Sequence, residues 1–158
     1  MTTIYEKVGD EREVLLHYLN KMRAAVVRVS EGLTDAEQRA PGVPSGTSLL
    51  GLVRHLTYVE EHWFQRVFLG SDTGLRNAWT VPDPTTRAEV VAAYRAACAR
   101  HDEIVRAHDL STMSATPNPG EDGLDSLRVI VAHMVEETAR HAGHADILRE
   151  LTDGATGL

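Results

Sequence analysis

The sequence predicts an all-α protein, a four-helix bundle, and three observations carry that prediction. Four long windows place apolar residues at i, i+3, i+4 and i+7, the period of an amphipathic helix. Gly and Pro punctuate the stretches between them, and two of the segment starts read as capping boxes. The composition agrees: Ala, Leu, Val, Arg and Glu dominate, aromatics make up only 5%, and β-branched runs are short.

The first window runs from about Asp10 to Ser30. Its stripe carries Val14, Leu15, Tyr18, Leu19, Met22, Ala25, Val26 and Val29, and Gly32 is placed to end it. Thr34-Asp35-Ala36-Glu37 is a capping box for a short extra helix between the first and second long ones. A Pro41–Gly46 loop follows, and Thr47 or Ser48 opens the second long helix, which should end near Leu69 at Gly70. Its inner face is expected to carry Leu49, Leu52, Val53, Leu56, Val59, Trp63, Val67 and Phe68. Residues Ser71 to Thr85 read as irregular, with Gly74, Pro82 and Pro84. The box Thr86-Arg87-Ala88-Glu89 starts a third helix reaching about His108; after a Pro/Gly loop over Met113–Gly123, a fourth runs from about Asp125 to Leu151. The connections are long enough for crossovers, so the periodicity alone leaves the order of up and down open.

The chain of 158 residues fits a single domain spanning 1–158 and can bury a core without disulfide staples. A net charge of −7 with no Lys/Arg run argues against nucleic-acid binding. No stretch approaches about 18 uninterrupted apolar residues, so no membrane span is expected. Met1–Asp10 holds Glu6, Lys7 and Asp10 and no apolar segment, so no secretory leader is expected. The one cysteine, Cys98, lies among alanines, reads as a small core residue and suits a reducing cytoplasm. A homodimer is the default expectation for assembly.

Eight histidines are placed by their surroundings. His17, His101 and His108 have charged neighbours and read as surface or rim residues. The fourth helix differs. Its stripe through Leu127, Ile130, Met134, Ala145 and Leu148 passes over Glu137, Thr138 and His141. A carboxylate and an imidazole therefore interrupt a core-facing seam, which is costly without a partner cation or a metal. Glu137 and His141 are four residues apart and share a face, a spacing that lets two side chains converge on one ion. His55 on the second helix is the best third ligand. Three N/O ligands leave coordination positions open, the pattern of a catalytic metal, and suit zinc, nickel, iron or cobalt. Two alternatives stay open on the residues alone: a plain His–Glu pair across a helix interface, or a ligand role for His133 or His144.

Two segments resemble the DinB-like (DinB/YfiT) superfamily of metal-binding four-helix bundles, in particular an actinobacterial subgroup related to mycothiol-dependent enzymes. One is Pro44-Ser45-Gly46-Thr47-Ser48-Leu49-Leu50-Gly51-Leu52-Val53-Arg54-His55-Leu56 with Glu60, Glu61 and Trp63-Phe64 after it. The other is His133 to Asp146. The resemblance implies up-down-down-up topology and a divalent metal, zinc before nickel, on His55, Glu137 and His141. The family's frequent His-His pair is Glu-His here, a departure that mycothiol-dependent maleylpyruvate isomerase shares. His144 stands where many members have Gln, and it becomes the candidate catalytic residue, as proton acceptor or thiol-orienting group. The implied activity is S-transfer or isomerisation between a low-molecular-weight thiol, mycothiol first, and a small-molecule electrophile. Trp63, His62 and Trp79 are candidate mouth residues for which packing or surface roles are the plainer expectation. A metal-dependent hydrolase with Glu136 or His144 as base, or a non-enzymatic metal-binding bundle, are the competing readings.

Overall fold

A computed structural model describes residues 10–157; the leader reading of Met1–Asp10 falls outside them except for Asp10. Helix α1 spans Glu11–Val29, and the Asp10 side chain accepts a hydrogen bond from the Arg12 amide at its start. The short α2, Asp35–Arg39, forms the expected capping box: Thr34 Oγ1 accepts from the Glu37 amide, and Glu37 accepts from the Thr34 amide. Ser48 caps α3, Leu49–Glu60, and the same helix continues with π winding over Glu61–Phe68. The second capping box, Thr86 with Glu89, opens α4, Arg87–Ala107. Ser126 caps α5, Leu127–Asp153, which ends on Gly154 at φ 78°, a left-handed conformation that costs glycine little.

The long helices run up, down, down, up. Arg128 at the start of α5 pairs with Glu11 at the start of α1, and Arg149 near its end donates to the Val29 carbonyl, so α1 and α5 are parallel. Leu50 and Val53 share a cluster with Val90 and Tyr94, while Phe64 stacks on His101 further along, so α3 and α4 are parallel too. Leu16 and Leu19 of α1 pack with Phe64 and Phe68, which sets the two pairs antiparallel. Among the described residues no helix is long and apolar enough to cross a membrane.

Two expectations are corrected. The second helix is not α-wound throughout. In a π segment each amide reaches back five residues, which widens the turn and changes which residues face inward. Phe64 takes the fully buried position expected of Trp63, which lies at the rim, partly buried against the core. His101 is not a surface residue: it is completely buried, and its Nδ1 donates to Glu60 Oε2 at 2.9 Å. The same carboxylate takes a bidentate pair of 2.7 Å hydrogen bonds from Arg23, which also reaches Asp102 at 2.6 Å. Burial pushes the Glu60 pKa up, but the Arg23 charge and the hydrogen bonds from His101 and Arg23 more than offset it, and the carboxyl is held below the usual range. Cys98 lies beside this network with Sγ 3.8 Å from Glu60 Oε1. Burial and the Glu60 charge push its thiol pKa up, so it stays protonated and is no nucleophile.

Candidate metal centre

Antiparallel packing of α3 on α5 decides which residues meet. Leu49 and Leu52 cluster with Ala145 and Leu148 at one level, and Val59 with Ile130 and Met134 at another. His55 lies between those levels and faces the turn of α5 that carries Glu137 and His141. The three residues bring one ligand atom each within 4.8 Å of one another. His141 Nε2 is 3.0 Å and His55 Nε2 3.8 Å from the same Glu137 oxygen, Oε1. The two rings stand nearly edge-on, at 73° with centroids 4.9 Å apart. Both imidazoles are buried, and Glu137 is half-buried.

The surroundings orient each of these groups. Asn77 Oδ1 lies 2.8 Å from His55 Nδ1 and accepts its proton, which leaves the lone pair on Nε2, facing Glu137. The indole of Trp79 stacks on the His55 ring at 3.9 Å and 13°. His144 Nδ1 lies 3.4 Å from His141 Nδ1, on the side of the ring away from Glu137. Arg140 holds the outer carboxylate oxygen, Glu137 Oε2, at 2.7 Å. Two ring nitrogens and a carboxylate oxygen aimed at one point need a cation among them, either a proton or a metal ion. Burial lowers the His141 pKa and the nearby His55 adds to that, against the opposing pull of Glu137. The neutral ring is the form that binds metal. The donor set therefore fits a divalent ion of borderline softness.

The loop that carries Asn77 and Trp79 rests on α3 through Gly51, one turn before His55. A Cβ on Gly51 would collide with the Trp79 carbonyl oxygen. Gly51→Ala is expected to lift this loop off His55. The change should show as a shifted tryptophan emission and a stability loss of about 1–3 kcal/mol in urea denaturation.

The sequence missed Asn77, Arg140 and Gly51. It proposed His133 and His144 as alternative ligands, and neither joins the group of three. His133 packs on the Trp63 ring with centroids 4.5 Å apart, and His144 meets only the outer side of His141. Of the proposed mouth residues, Trp79 borders the group. His62 instead hydrogen-bonds Asn118 at 2.9 Å. Glu136 is exposed and paired with Arg140. A cavity of about 390 Å³ opens beside His141, His144 and Trp79.

The sequence model of one protein family, Mycothiol-S-transferase, matches residues 14–154, nearly the whole chain. The chain belongs to the mycothiol S-transferase family. This is a DinB-like family, as the His55 and His133–Asp146 segments led one to expect. No curated protein matches this family member significantly. Among solved structures, a conserved protein from Enterococcus faecalis superposes on it with a TM-score of 0.69. The two share 16% sequence identity over 94% of this chain and 100% of the other, a likeness that speaks for the fold alone.

Proposed function

We propose that the protein is a divalent-metal-dependent S-transferase that joins mycothiol to a small electrophile, with the ion held by His55, Glu137 and His141. One observation supports this most: both imidazoles turn Nε2 toward the same Glu137 oxygen, and each has a polar partner behind it at Nδ1, the Asn77 amide oxygen for His55 and the His144 ring for His141. A second ring nitrogen held by a neighbour, as Asn77 holds that of His55, is the usual companion of a histidine metal ligand. Membership of the mycothiol S-transferase family supports the choice of thiol and of transfer chemistry. Zinc fits the two-imidazole, one-carboxylate set first and nickel next.

A divalent ion in this site would lower the pKa of a thiol bound to it, so that thiolate is available at neutral pH. The residues of the chain do the rest. Asn77 and Trp79 fix the His55 ring, and Arg140 keeps Glu137 turned inward. His144 keeps its Nδ1 within 3.4 Å of His141 and stands beside the proposed ion as the candidate proton acceptor or thiol-orienting group. A cytoplasmic setting suits both a thiol cosubstrate and the unpaired Cys98.

The test is mycothiol consumption with an electrophile panel, using metal-loaded and chelator-treated protein. Metal-dependent turnover is the expected result, and no turnover across the panel contradicts the reading. An ester and amide panel run without thiol reads out the hydrolase alternative. The Nδ1 partner is tested separately: Asn77→Ala is expected to weaken metal affinity roughly 10–100-fold, while Asn77→Asp, which keeps an acceptor, retains most of it. Competition with a chromophoric chelator measures both.

A further inference from the structure

We propose that the cavity beside His141 is the electrophile's subsite and that it selects neutral, apolar electrophiles; this rests on the S-transferase reading above. The cavity and the donor set share a border. Trp79 lines the cavity, stacks on His55 and stands edge-on to His141 with centroids 5.8 Å apart. A molecule lodged there lies next to the ligand residues without displacing any of them.

The chemistry of the wall identifies the occupant. Its apolar part is Val43, Leu52, Trp79, Ile147 and Leu148. Two of these, Trp79 at 37% and Ile147 at 56% exposure, are large hydrophobic side chains left open to solvent on a concave surface. No Lys, Arg, Asp or Glu lines the cavity. An ion entering it would lose hydration and meet no carboxylate, guanidinium or ammonium group on the wall, which disfavours charged electrophiles. The hydroxyls of Ser45 and Thr47, the other polar wall groups besides the two histidines, lie 3.3 Å apart and hydrogen-bond each other. Mycothiol has a sugar body dense in hydroxyl groups, and such a wall leaves most of them unsatisfied. The cavity therefore suits the electrophile and not the thiol. Its volume of about 390 Å³ accepts a small aromatic group.

The step balances without any further reagent. The thiol proton leaves to solvent, the sulfur lone pair forms the C–S bond, and the leaving group departs with the electron pair of the bond it breaks. Iodoacetamide and iodoacetanilide share the reacting carbon and the iodide leaving group and differ by a phenyl ring. Metal-loaded protein with mycothiol is expected to prefer iodoacetanilide by about tenfold or more in kcat/KM, each rate taken relative to the uncatalysed one. Ile147→Glu places a carboxylate on the cavity wall and should reduce that preference severalfold, whereas Ile147→Leu should keep it. Ile147 is exposed, so the fold tolerates both changes; melting curves and metal content check this. A second readout needs no turnover: N-phenyl-1-naphthylamine should brighten on binding wild-type protein and bind more weakly to Ile147→Glu. Equal use of the two reagents, a preference unchanged in Ile147→Glu, or no binding of the dye overturns the subsite. No thiol consumed with either reagent overturns the S-transferase reading and the subsite's role with it, so the two failures are told apart.

Discussion

His55→Ala is expected to empty the proposed centre: bound metal falls from about one ion per chain to below about a tenth, and thiol transfer falls to the uncatalysed background. His55 is the one donor contributed by α3, and without it Glu137 and His141 are a two-residue set on a single helix. Elemental analysis of the dialysed protein, followed by the thiol assay, measures both effects. Melting curves provide the control. If the three residues were only a structural pair and its neighbour, the variant would lose stability and leave metal content and turnover where they were.

The second large effect lies away from the centre. Arg23→Met is expected to destabilise the fold by roughly 3–5 kcal/mol, because it leaves the fully buried Glu60 carboxylate without its bidentate partner. Urea denaturation measures this, and the metal content of the folded fraction should be unchanged. The same network sets an acid limit. The Glu60 pKa is lower in the folded chain than in an unfolded one, so its contribution is present above the ordinary carboxylate range. That contribution is lost as pH falls through the lower, folded value. In Arg23→Met this loss is expected to begin at a higher pH than in the wild type.

Much of the fold was readable because local signals and global packing agree. Both capping boxes form as written, Gly154 ends α5, and the stripe through Leu127, Ile130, Met134, Ala145 and Leu148 is buried along its length. Periodicity did not give the up-down-down-up order, since an amphipathic helix has one stripe whichever way its neighbours run; the family resemblance supplied that. The π winding after Glu60 has no local signature, and α spacing carried through it turns Trp63 inward. His101 reads as exposed for a related reason. Its neighbours Arg100 and Asp102 point to a surface position, while its real partner, Glu60, is 41 residues away on another helix.

The candidate site was legible where it lies on helices and much less so on the loop, from which Trp79 alone stood out. Glu137 and His141 stood out as polar residues in an apolar seam, and the i, i+4 spacing put them on one face. Asn77, Trp79 and the Gly51 contact depend on how an irregular segment folds back onto α3, and a segment without periodicity announces no contacts in advance. His144 stands beside His141, as its position one turn further along the same helix led one to expect.

The most direct test of the central claim is anomalous diffraction at the metal absorption edge from crystals grown with one equivalent of zinc. The account predicts one dominant peak about 2.0–2.2 Å from His55 Nε2, His141 Nε2 and a Glu137 carboxylate oxygen. A site free of anomalous density, or a dominant peak on other residues, would contradict it.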